Sequence, residues 1–425
     1  MREDFLHYIW KHKKFSTESL QTTASESIFI TSFGQHNLDS GPDFFNAQMK
    51  IGEQLWAGNV EIHVKSSDWF LHNHETDKAY DNVILHVVWE HDMDVFRKNN
   101  TPIPTLQLKG LIDTPILNNY EKLFSKTSKW INCENDFFTV DDFMLNNWLE
   151  RLFFERLERK SKDIEALLID SKNDWEAVLF KMLAKNFGLK VNGESFFSLA
   201  NSIDFSIIRK TRTEQSNLEA LLLGQACLLD EDLEGAYFKK LKQEYTFLMQ
   251  KFQLNNSQVL PIQFFRLRPP NFPTIRLSQL ASLYHLHQNL FSKVVETNKL
   301  EDFYGLFKVS TSKFWKTHYT FQKESKPSEK RLSKSFIGLL LINTVIPITF
   351  CYAKHQGKDV EDHILNLATS LSSEKNSIVD AFNNLKKVSK TSLESQAMIQ
   401  LKTTYCDTDK CSQCAIGNTL LSRNI

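Results

Sequence analysis

Four residues in the stretch GPDFFNAQMKIGEQLWAGNVEIHVKSSDW, namely Asp43, Glu61, His63 and Lys65, are of the types that bind a cation and move protons. Glu61, His63 and Lys65 fall at every second position, so on an extended strand they share one face. Asp43 follows a Gly-Pro corner, and the seventeen residues between it and Glu61 are enough for a hairpin that returns one beside the other. Carboxylates brought together this way suit a hard divalent ion such as magnesium or manganese. Such an ion, with a lysine to orient water or touch a phosphate, is what phosphodiester hydrolysis requires. The same row is also what the solvent face of a half-buried strand would show.

Three further groups extend the list. His72 and His74, with Asp77 close behind, have the ligand types of a zinc or manganese site or of a phosphate contact, whereas His86 lies in an apolar run and reads as a core residue. Cys406, Cys411 and Cys414 stand within nine positions near the C-terminus, a spacing that points to zinc or an iron–sulfur cluster, with Cys133 as the best fourth ligand. Arg266, Arg268 and Arg276 sit on the proline-stiffened segment RLRPPNFPTIR. They could grip a phosphate backbone, or pair internally with carboxylates.

The elements that must position these groups can be read from periodicity. A helix is expected from Glu3 to Lys14, a strand over Ser27–Phe33, a hairpin of Phe44–Ile51 and Leu55–Val64 with its bend at Gly52–Gln54, and a central strand over Val83–Trp89. A short strand at Leu106–Leu108 completes the sheet. From about residue 114 the period becomes helical, with stretches at Asn119–Lys129 and Asp141–Ser171 and then most of the remaining chain. The expected architecture is α+β: a mixed sheet domain over 1–115, a helical domain over 116–405 and a cysteine-containing tail over 406–425.

Composition narrows the function classes. With 51 basic and 51 acidic residues there is no general attraction for nucleic acid, so any such contact needs a local basic face. There is no GxGxxG or GxxxxGK[ST] run, which disfavours nucleotide cradling. The charged start MREDFLHYIWKHKK has no apolar signal core, and six unevenly spread cysteines do not form a secreted disulfide framework. Phe336–Ala353 lacks charge but reads as a buried helix rather than a membrane span, so a cytoplasmic location without membrane attachment is expected.

The motifs HYIWK, GPDFFNAQ, GNVEIHVKSSDW, HNHETDKAYDNVILHVVWEHD, RLRPPNFPTIR and KCSQCAIGN together resemble a bacterial family of unknown function, domain 2851. That resemblance implies a shared architecture and no activity. Separately, Asp43, Glu61, His63 and Lys65 resemble the metal site of PD-(D/E)XK nucleases, which implies a restriction-endonuclease-like sheet, a further acid from the opening segment (Glu3 or Glu18) and a nucleic-acid substrate. The chain departs from that pattern two residues before Lys65, where His63 replaces an acid. Either His63 is itself a ligand, favouring manganese or another transition ion over magnesium, or Glu61 serves from one pleat further away. Three functions follow as expectations: a metal-dependent nuclease or phosphodiesterase, a non-enzymatic nucleic-acid-binding or assembly protein, and a histidine-centred metallohydrolase.

Overall fold

A computed structural model of the chain describes residues 1–37, 39–125 and 129–423. The chain divides into two compact units, residues 1–148 with 401–425, and residues 149–400. The fold is α+β: a mixed sheet in the first part is followed by a mostly helical chain. The first unit thus takes in residues 116–148 and the tail as well as the sheet.

That unit opens with α1 (Glu3–Lys11), whose Phe5, Leu6, Ile9 and Trp10 are buried. The sheet comprises β1 (Ile28–Ser32), β2 (Gln35–His36), β3 (Phe44–Ile51), β4 (Gln54–Lys65), β5 (Val83–Glu90) and β6 (Thr105–Gln107). Its order is β1-β3-β4-β5-β6, with β2 also on β3. The pairs β1/β3, β2/β3 and β3/β4 are antiparallel, whereas β4/β5 and β5/β6 are parallel. The hairpin closes at Ile51↔Gln54, with Gly52 at φ +58, where a residue without Cβ meets no steric cost.

Two local features aim residues at one end of the sheet. Phe44 pairs with Val60 and Ala47 with Gly58, so β3 carries one extra residue, and Asn46 takes φ +58 within that bulge. Parallel strands need a crossover, and the β4-to-β5 connection supplies it with a short helix, α2 (Asp68–Leu71), followed by a turn at Lys78–Tyr80. Trp69, Val83, Val95 and Ile103 form a buried cluster beneath this crossover. Gly58 permits the close approach, since a Cβ there would lie 2.5 Å from the Asn82 carbonyl oxygen.

Beyond the sheet come α3 (Thr114–Leu123) and the long α4 (Asp142–Asp170). The helix expected over 119–129 therefore starts and ends earlier, and residues 126–128 lie outside the described residues. In the second unit, Lys334–His355 is the one helix among the described residues long and apolar enough to cross a membrane, and 83% of its apolar window is buried inside the protein. That is the environment of a core helix. It is interrupted by a π-turn at Leu341–Val345.

Candidate metal centre

The end of β4, the mouth of β3, the crossover and α1 meet around one cluster of titratable side chains. His63, His72 and His74 present ligand atoms that all lie within 4.8 Å of one another. His63 Nε2 stands 3.1 Å from His72 Nδ1. Glu61 Oε1 lies 3.3 Å from His74 Nε2 and 3.6 Å from His63 Nε2. Asp43 is beside them: its backbone N–H donates to Glu61 Oε2 at 3.2 Å, and its Oδ2 accepts from the Ile62 N–H at 2.9 Å. From α1, His7 Nε2 reaches to 3.2 Å of Asp43 Oδ2.

The second layer is built of rings. His63 Nδ1 is 2.8 Å from Nε2 of His86, which is completely buried. If Nε2 of His63 faces a ligand, its proton resides on Nδ1 and is donated to His86, fixing both tautomers. Tyr80 stacks on His74 with ring centroids 3.7 Å apart, and Trp69 meets both His74 and His86 edge-on or tilted. His72 is exposed while His63 is 1% exposed, so the cluster has a closed inner wall and an outer edge open to solvent.

Electrostatics follow from this burial. Glu61 is pushed up to about 9, first by burial and then by Asp43. His63 is pushed down to about 2 and His86 to about 3, by burial and then by neighbouring imidazoles. Burial likewise lowers His74 and raises Glu3. His7 is raised: burial acts to lower it, but the adjacent Asp43 carboxylate, aided by Glu3 and Glu61, outweighs that desolvation. Burial thus favours the neutral form of His63, His74 and His86, the form that binds metals, and a nearby cation would favour ionised Glu61. His7 Nε2 and His74 Nε2 are buried with no hydrogen bond of acceptable geometry, although carboxylate oxygens stand only 3.2 and 3.3 Å away.

Asp43, Glu61, His63, His72 and His74 are brought together, and of the two acids considered from the opening segment Glu3 is the one near them, since Glu18 is exposed elsewhere. Lys65 is not drawn in: it is exposed at the end of β4, its N–H bonds Asp68 Oδ2 at 2.9 Å, and its charge acts on Asp92. Asp77 caps the turn after it by accepting from the Ala79 N–H. Arg276 is internal to the second unit, 3.6 Å over the Phe336 ring and bonded to Gln279 and Asn271, while Arg266 and Arg268 are exposed. Cys133, Cys406, Cys411 and Cys414 line a separate cavity in the first unit. Their thiols are all pushed up, first by burial.

Sequence reasoning missed His7 and the supporting role of His86. A signal for the first was present, since Glu3 and His7 are one turn apart on the helix. Residues 3–377 match the profile described as a protein of unknown function, DUF2851. The chain belongs to that family. The matched range includes every residue of the histidine–carboxylate cluster and stops before Cys406, Cys411 and Cys414. No curated protein and no solved structure matches the chain.

Proposed function

We propose that this DUF2851 protein is a metal-dependent hydrolase acting on phosphodiesters, with nucleic acid as the natural substrate class. The observation that carries the reading is the convergence of His63, His72 and His74 within 4.8 Å, with Glu61 Oε1 against two of them. Imidazoles packed this closely gain little from one another, whereas a shared divalent cation satisfies all of them. The nitrogen-rich donor set favours manganese, zinc or ferrous iron over magnesium. A bound ion supplies charge neutralisation at phosphorus and a more acidic water.

The chain's own groups have distinct tasks. His63, His74 and Glu61 form the buried side of the centre, and His72 closes it at the solvent edge. Asp43 is oriented by the Ile62 N–H and by His7, leaving a carboxylate oxygen to share the ion or accept a proton from water. The acid at the mouth of one strand, the acid on the next and Glu3 from the opening helix support the nuclease-like reading, but Lys65 has no part in it. Free cysteines fit a reducing cytoplasm.

Cleavage of plasmid, single-stranded DNA and RNA should be measured with manganese, zinc and magnesium. Manganese-dependent cleavage is expected, falling at least a hundredfold in Glu61→Gln and His74→Ala and changing only a few-fold in Lys65→Ala. Equal activity in wild type and both cluster variants would reject the reading. A second reading, a histidine-centred metallohydrolase for another substrate, is favoured by the exclusion of Lys65. It predicts metal-dependent hydrolysis of an activated ester or amide by a protein that leaves bis(p-nitrophenyl) phosphate intact.

A further inference from the structure

The tail of the chain folds back onto the first unit, and it does so around sulfur. Cys133 lies after α3, whereas Cys406, Cys411 and Cys414 come from residues 401–425, yet all four line one cavity with Leu401, Tyr405 and Ile416. None is in a disulfide. The sulfurs act on one another: Cys133 is influenced by Cys411 and Cys414, and Cys406 by all three others. We propose that these four cysteines hold an iron–sulfur cluster that fastens the C-terminal segment to the sheet unit.

Hydrogen-bond donors aimed at sulfur support a thiolate site. Asn132 Nδ2 donates to Cys411 Sγ at 3.5 Å, and the backbone N–H groups of Ile416 and Gly417 donate to Cys414. Such bonds orient and tune thiolate ligands. The turn that carries them is tightly folded, because a Cβ on Gly417 would lie 2.0 Å from the Cys411 carbonyl oxygen.

Spacing chooses the cofactor. The run Cys406-x4-Cys411-x2-Cys414, with a distant fourth cysteine, uses the intervals of plant-type [2Fe–2S] ligation, here with the distant ligand first in the chain. Two irons bridged by sulfide take four terminal thiolates in all, the number that lines this cavity.

The clamp also reaches the histidine–carboxylate cluster. Ser412 Oγ bonds Asp4 Oδ2 at 3.0 Å, Tyr8 OH meets Ser422 Oγ at 2.8 Å, and Arg2 pairs with Asp409 at 3.1 Å. These are the α1 residues and its flank that alternate with Glu3 and His7. The cysteine centre therefore holds in place the helix that completes the other site, while its existence does not depend on what that site does.

The test is analysis of full-length protein purified without oxygen: iron, acid-labile sulfide, zinc and the visible spectrum. Iron and sulfide in equal amounts with a thiolate-to-iron absorption band are expected, with iron falling at least tenfold in Cys406→Ser and unchanged in Cys227→Ser. To separate ligand loss from misfolding of Cys406→Ser, wild-type protein should also be stripped with chelator and digested with protease. Restoration of tail protection by ferric iron plus sulfide, but not by zinc, supports the proposal. Stoichiometric zinc without sulfide, or four alkylatable thiols in folded protein after anaerobic reconstitution, overturns it.

Discussion

Replacing His86 by leucine separates a ligand-orienting role from a packing role, because the first is read in metal affinity and the second in stability. His86 Nε2 is 2.8 Å from His63 Nδ1, while His86 Nδ1 is buried without a hydrogen-bond partner. Losing the bond and leaving His63 Nδ1–H unmet costs about 1–3 kcal/mol, but removing the orphaned Nδ1 of His86 returns a similar amount. Stability should therefore change by less than about 1 kcal/mol. Metal affinity should not escape so lightly. Outer partners of ligating histidines are worth about 10–100-fold in affinity, or about 1.4–2.8 kcal/mol. Calorimetric titration of metal-free protein with manganese, alongside urea unfolding of both proteins, measures the two quantities together. A folded His86→Leu variant that binds manganese within twofold of wild type would refute the placement of His63 Nε2 on the ion.

Two predictions concern the helical unit. Gly224, in the helix Gln215–Gln225, faces Tyr245, and a Cβ there would lie 2.1 Å from the ring. Gly224→Ala should thus destabilise by about 2 kcal/mol through overpacking, where an exposed helical site would gain close to 1 kcal/mol; unchanged urea unfolding would contradict the packing. Lys160, bonded to Asn343 Oδ1 at 3.3 Å, is pushed down to about 7 by burial and then by Arg156. Above that pH the folded state has lost a proton that the unfolded chain keeps up to about 10.5, so this group makes stability rise with pH across that window. Lys160→Met should remove that part of the rise, as unfolding series below and above neutrality would reveal; parallel wild-type and variant profiles would count against it.

Periodicity made the hairpin, the central β5 and the long α4 legible, because burial on one face leaves a repeating mark along a single segment. The meeting of Asp43 with Glu61 was suggested by the Gly-Pro corner and the hairpin length, both local. His7 escaped notice because it belongs to α1, and nothing in a single sequence says which strand that helix covers. Alternation likewise put Lys65 on the face of Glu61 and His63 but could not say where the strand leaves the protein interior. The partnership of Cys133 with the tail was inferred from ligand arithmetic, whereas the donors to Cys411 and Cys414 depend on a turn whose tightness only coordinates reveal.

The first unit is discontinuous, being made from residues 1–148 and 401–425 with the whole second unit between them in the chain. During synthesis at about 5–20 residues per second, the intervening 252 residues (149–400) occupy the ribosome for roughly 13–50 s. Throughout that interval α1 and the surface around Cys133 lack their covering segment. A nascent chain stalled before residue 401 should therefore expose Cys133 to alkylation and recruit chaperones, and the unit that begins first is the one that matures last.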